Sequence, residues 1–146
     1  MSSQQTDWRW CKKCQGLFFS GVSLGVCPAG GSHDPSGSIN YKLTIVDGNE
    51  GDQRGWRWCK KCQGLFFSLN PTSGYCPTGG GGHDYTGSVD YQHIPSGFNL
   101  QGTQRGWQWC NKCQGTFFDG NNTSGHCPTG GGHDYAGSIG YQLQIN

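Results

Sequence analysis

The sequence predicts an all-β fold with pseudo-three-fold symmetry, and four observations carry that expectation. One phrase is written three times: "WRWCKKCQGLFFS" at residues 8–20 and 56–68, and "WQWCNKCQGTFFD" at 107–119. A second phrase follows each copy, reading "GVCPAGGSHDPSGSINY", "GYCPTGGGGHDYTGSVDY" and "GHCPTGGGHDYAGSIGY". No stretch places apolar residues at a 3.6-residue spacing, whereas Leu43 and Ile45, and again Leu143 and Ile145, alternate with polar residues as in a strand. Finally, 27 glycines and turn-rich pieces such as "LNPTS" and "GNNTS" break the chain into short runs.

The elements follow in order. Within the first copy, strands are expected over 8–11, 17–20, 25–27 and 38–45. Equivalents in the other copies bring the total to about twelve. The first cysteines stand at 11, 59 and 110, so the period is 48 and then 51 residues, and a fixed period marks a repeat architecture. The repeats run over 1–52, 53–103 and 104–146 within one domain. Seven residues precede Trp8 and five follow Tyr141, as expected if the last copy pairs with the first. In each Trp-x-Trp both rings point to one face of a strand, and at least one per copy is expected in the core. Adjacent phenylalanines (Phe18–Phe19, Phe66–Phe67, Phe117–Phe118) point opposite ways, one into the core and the other over the cysteines.

Aliphatic material is scarce. Leu, Ile, Val and Phe make only 23 of 146 residues, below the roughly one-fifth at which burial normally sustains a fold. A formal net charge of +1 argues against charge-driven disorder. Something besides aliphatic burial must hold the chain, and nine cysteines with six tryptophans are available. No apolar run reaches the length of a membrane span, and "MSSQQTDWRW" lacks the features of a secretory signal. A cytoplasmic location is therefore expected, where thiols stay reduced and cysteines serve metals more often than disulfides. The pI near 7.6 disfavours nucleic acid, whose binders carry a concentrated basic face.

The cysteines point to metal. Each copy supplies Cys-x-x-Cys, a third Cys 13 or 14 residues later, and a His 6 or 7 residues after that. The sets are Cys11, Cys14, Cys27 and His33; Cys59, Cys62, Cys76 and His83; and Cys110, Cys113, Cys127 and His133. Together they use every cysteine. Three cysteines per copy cannot all pair as disulfides, and a tied histidine has no place in a disulfide scheme. Three thiolates and an imidazole suit tetrahedral Zn²⁺, so three structural zinc ions per chain are expected. Four ligands leave no open position for catalysis. No Ser-His-Asp arrangement, phosphate loop or carboxylate pair stands out, so no enzyme is expected. His93 and His126 lie outside the pattern and receive no role.

Several recurring residues are not needed for metal and are candidates for ligand binding. They are Asp34, Asp84 and Asp134; Lys13, Lys61 and Lys112; Gln15, Gln63 and Gln114; Trp8, Trp56 and Trp107; and Tyr85 and Tyr135, where the first copy has Pro35. A carboxylate, an amide or amine and an aromatic face together suit a sugar. Each Cys-x-x-Cys…Cys…His unit resembles zinc-ribbon and zinc-knuckle modules. The plan of three repeats with about four strands each resembles β-trefoil lectins. That resemblance implies a trefoil-like, multivalent carbohydrate-binding protein acting on a glycoconjugate. The alternatives to the trefoil are three tandem zinc-ribbon modules or a β-prism. The alternative functions are an adaptor for protein or single-stranded nucleic acid, and a protease-inhibitor or toxin-like defence protein.

Overall fold

The computed structural model describes residues 4–46, 53–79 and 81–146. The segment 47–52, which holds the first repeat boundary, lies outside the described residues. Ten strands form one nearly closed, barrel-like sheet. They are β1 (Gln4–Trp10), β2 (Leu17–Phe19), β3 (Tyr41–Ile45), β4 (Trp56–Trp58), β5 (Leu65–Phe67), β6 (Tyr91–Gln92), β7 (Ile94–Pro95), β8 (Thr103–Trp109), β9 (Thr116–Phe118) and β10 (Tyr141–Ile145). No helix among the described residues is long and apolar enough to cross a membrane.

Each copy folds by one rule. The Trp-x-Trp strand and the Leu/Thr-Phe-Phe strand pair antiparallel across the Cys-x-x-Cys turn, and the register repeats as Trp8↔Phe19, Trp56↔Phe67 and Trp107↔Phe118. The Tyr-led strand then pairs with the other edge of the Trp strand, at Trp8↔Tyr41, Trp56↔Tyr91 and Trp107↔Tyr141. β-branched and aromatic residues fit such half-buried pleats.

The copies interlock around a ring. Tyr41 pairs with Ile145, Tyr91 with Ile45, and Tyr141 with Pro95, so each Tyr-led strand meets the end of another copy's. A second ring of bridges runs Gly16↔Phe117, Phe18↔Gly64 and Phe66↔Gly115. Beads on flexible linkers would share no ladder, so this hydrogen bonding rules against strung modules.

Two expectations need correction. Residues 25–27, 74–76 and 125–127 form no strand. Each begins with a glycine at φ 64°, 70° or 67°, which turns the chain. The amide of each third cysteine then closes the loop that follows it, as in Cys27 N–H to Gly31 O at 2.8 Å. The strand expected over 38–45 begins only at Tyr41, because the Ser38 hydroxyl leaves the chain direction to accept the Trp10 N–H at 2.9 Å.

The core is an aromatic triangle. Trp8, Trp56 and Trp107 are buried, each against the second phenylalanine of its own copy and the tyrosine of another. Symmetry breaks at two positions of the core. Where the first and third copies bury Leu43 and Leu143, the second buries His93, and where the first two bury Leu17 and Leu65, the third buries Thr116. The odd residues meet, His93 Nε2 lying 2.8 Å from Thr116 Oγ1. His93 Nδ1 and the nearby Trp56 Nε1 have no partner among the described residues.

This pair generates a prediction. Burial pushes the His93 ring down to about 3, so it is neutral when folded and protonates on unfolding at mildly acid pH. Its folded value lies below its unfolded value, so stability falls as pH drops from about 6.5 towards about 3. The double variant His93→Leu/Thr116→Leu restores the apolar pattern and removes an unpaired buried nitrogen. It should unfold at higher urea by roughly 1–3 kcal/mol, with an advantage that widens between about pH 7.5 and 5.5. Urea melts at two pH values check this.

Candidate metal centres and binding clefts

The structure brings all twelve predicted ligands together as three clusters, and within each the donor atoms lie within 4.8 Å of one another. None of the nine cysteines is in a disulfide. The hairpin between the Trp and Phe-Phe strands presents the Cys-x-x-Cys pair, and the loop after the third Cys returns the His. Cys11 and Cys27 sulfurs are 3.8 Å apart, Cys59 and Cys76 3.9 Å, and Cys110 and Cys127 4.0 Å. From Cys14, Cys62 and Cys113 to the Nδ1 of His33, His83 and His133 the gaps are 3.6, 3.6 and 3.5 Å. A tetrahedron with sulfur at about 2.3 Å and nitrogen at about 2.0–2.1 Å from a central ion has edges of about 3.8 Å (S···S) and 3.5 Å (S···N). The two edges given for each cluster, 3.8–4.0 Å and 3.5–3.6 Å, match those lengths.

The knuckle depends on its glutamine. Gln15, Gln63 and Gln114 adopt φ of 68°, 70° and 69°, which non-glycine residues take rarely. Each side chain braces the turn: its Nε2 donates to the carbonyl of Lys12, Lys60 or Asn111, and its Oε1 accepts the indole N–H of Trp10, Trp58 or Trp109. The next glycine has a different task. A Cβ on Gly16 would stand 3.3 Å from the Cys14 sulfur, in the approach of the Gly16 N–H that donates to it at 3.4 Å. Further amides, including those of Asp34, Asp84 and Asp134, donate to the first sulfur of each cluster, offsetting thiolate charge.

Electrostatics polarise each cluster. Hydrogen bonding from Cys14 holds the Cys11 thiol far below its ordinary range, and the same bond pushes Cys14 up. Burial would depress the His33 ring, but hydrogen bonds to Cys11 and Cys27 outweigh it and raise it to about 9. His83 and His133 behave alike. Phe18, Phe66 and Phe117 stack on the three imidazoles at 4.5–4.7 Å, so the first phenylalanine of each pair shields the cluster.

The clusters are not independent. His33 Nε2 lies 3.1 Å from the Cys62 carbonyl, His83 Nε2 3.1 Å from Cys113, and His133 Nε2 3.1 Å from Cys14. Each imidazole thus offers one nitrogen to its own cluster and bonds through the other to the next knuckle. A ligating histidine is commonly oriented by such a bond; here the three bonds close a circle. The clusters surround a small axial space of about 40 Å³.

The structure separates the proposed ligand-binding residues. Trp8, Trp56 and Trp107 are core side chains, Trp56 alone reaching the lining of a cleft, and Gln15, Gln63 and Gln114 are buried in the knuckles. The carboxylates of Asp34, Asp84 and Asp134 cap their own turns through the amides of Ser36, Thr86 and Ala136. The Ser36 and Thr86 hydrogen bonds hold Asp34 and Asp84 below the usual carboxylate range. Lys13 and Lys112 donate to the carbonyls of Gly30 and Gly130, and Lys61 stands half-buried at the same place in the second turn. Tyr85 and Tyr135 are exposed, with Arg57 5.5 Å over the Tyr85 ring.

Three clefts instead open between copies, of about 250, 240 and 250 Å³. Each takes the second tryptophan and the tyrosine of one copy (Trp10 and Tyr41, Trp109 and Tyr141, Trp58 and Tyr91). The neighbouring copy adds a phenylalanine and a glutamine: Phe118 and Gln104, Phe67 and Gln53, or Phe19 and Gln5. Among the described residues, no charged side chain lines any of them. Sequence reasoning missed the glutamines, although one stands three residues before the first tryptophan of every copy.

Gly74 tests the linkage. A Cβ there would lie 2.1 Å from the Cys113 carbonyl oxygen, at φ 70°. Gly74→Ala should cost about 3 kcal/mol or more and weaken metal retention in the second and third clusters together. Competition with a colorimetric chelator measures this.

No protein-family model matches the chain, and no curated protein or solved structure is similar to it at a significant level.

Proposed function

We propose that the chain is a non-enzymatic, trivalent carbohydrate-binding protein on a trefoil-like scaffold held by three structural zinc ions. The Cys₃His donor set and its tetrahedral edges favour zinc, and four protein ligands per ion leave no open position for a reacting water. Zinc here supplies folding energy: such sites contribute roughly 10–16 kcal/mol in small peptides, enough to offset a thin aliphatic core. Chelation should therefore abolish the β-sheet circular dichroism, and zinc should restore it with three ions per chain by metal analysis. A spectrum unchanged after complete metal loss overturns the structural role.

The observation that carries the binding function is the threefold repetition of an uncharged aromatic cleft. Each has room for about one sugar ring, a tryptophan and tyrosine to stack on its apolar face, and amide groups for its hydroxyls. A single-stranded nucleic acid would want cations beside those rings, and none lines the clefts among the described residues. Three weak sites on one body give avidity for a clustered glycoconjugate.

The test is a glycan array read with zinc-loaded protein and with the variant Ile39→Arg/Val89→Arg/Ile139→Arg. These three residues are exposed at the cleft rims, so the fold should survive. The wild type should retain a coherent set of neutral glycans, with little salt dependence, and the variant should lose them. A blank array with folded wild type, or an unaffected variant, overturns the reading.

A further inference from the structure

The three clefts share a plan, and one rim position changes chemical class between them. Three residues after the phenylalanine, two clefts carry an asparagine, Asn121 or Asn70, and the third carries Val22. Resting on the carbohydrate reading above, we propose that the clefts are unequal subsites. The Asn70 and Asn121 clefts select a saccharide hydroxyl at the rim, and the Val22 cleft meets the same position with apolar contact.

The hydrogen bonding supports this division. In every cleft the tyrosine hydroxyl donates to the glutamine Oε1: Tyr41 to Gln104, Tyr91 to Gln5, and Tyr141 to Gln53. The glutamine Nε2 then has no partner among the described residues, so each cleft keeps one amide donor. The asparagines are held from behind. Asn121 Nδ2 donates to Gln15 Oε1 at 2.9 Å, and Asn70 Nδ2 to Gln114 Oε1 at 2.7 Å. Each bond crosses between copies and fixes the amide, leaving its Oδ1 as an acceptor without a protein partner among the described residues. A sugar hydroxyl both donates and accepts, so a donor and an acceptor in one cleft suit it.

The Val22 cleft keeps the Gln5 donor and lacks the acceptor. Val22 cannot bond Gln63, and Ile45 adds apolar wall that the other two linings lack. A site built to bond a hydroxyl rejects the analogue lacking it, whereas an apolar wall discriminates weakly. One neutral hydrogen bond separates the classes, which corresponds to about five- to tenfold in affinity.

The experiment uses ¹⁵N-labelled, zinc-loaded full chain and the indole N–H signals of Trp10, Trp58 and Trp109, one per cleft. The probes are methyl glycosides of neutral hexoses and their monodeoxy analogues. For a binding hexoside, the Trp10 and Trp109 signals should reach half-saturation at about five- to tenfold lower concentration than Trp58. One monodeoxy analogue should bring the three midpoints together. In Val22→Asn, a change at an exposed position, the Trp58 midpoint should join the other two. Equal midpoints in the wild type, or a Trp58 midpoint unmoved by Val22→Asn, overturn the ranking and leave the carbohydrate reading standing. If no indole signal moves with any glycoside, the carbohydrate reading falls and the ranking with it.

Discussion

Each of three histidines faces two ways, and the rest of the structure depends on that. Nδ1 of His33, His83 and His133 joins its own cysteines, while Nε2 meets the knuckle carbonyl of the next copy at 3.1 Å. An ion bound at one cluster fixes the tautomer and direction of its imidazole, and so fixes the next turn. A chain with 23 residues of Leu, Ile, Val and Phe among 146 cannot rely on burial alone. The proposed zinc ions would do most of the holding, and the aromatic triangle of Trp8, Trp56 and Trp107 would fill the space they enclose.

A symmetric scaffold also shows where its copies have drifted. His93 and Thr116 replace two core leucines as a bonded pair, which keeps the fold at the cost of an unpaired nitrogen. Val22 stands exposed where the other clefts have asparagine, and its copy goes without the cross-copy bond that Asn70 and Asn121 make. Drift in the core must be compensated, since a buried polar group without a partner is costly. Drift at this exposed rim strands no buried group, since Gln63 Oε1 still accepts the Trp58 indole N–H, and it changes what the cleft can hold.

The sequence was most legible where chemistry is local. The three clusters of cysteine and histidine could be read because their spacing is set within one copy and their residue types name their chemistry. The β class and the repeat were equally plain. The strands expected at 25–27 and its equivalents were not, because hydrophobic alternation does not register a glycine at φ 64°. Trp8 and Trp10 looked interchangeable, and only the packing of three copies decided that one is core and the other cleft wall. Gln15 looked like a surface amide, yet it braces a left-handed turn. The clefts were illegible for a related reason: each combines residues of two copies, such as Tyr41 with Gln104, which no spacing within a repeat connects.

The most direct measurement of the central claim is a zinc titration of metal-free chain read by native mass spectrometry. If the histidine bonds couple the clusters around the ring, chains with no ion and chains with three ions should dominate throughout, and those with one or two should stay scarce. A statistical ladder of one-, two- and three-ion species, with partly loaded chains already in the compact charge-state envelope, would contradict it.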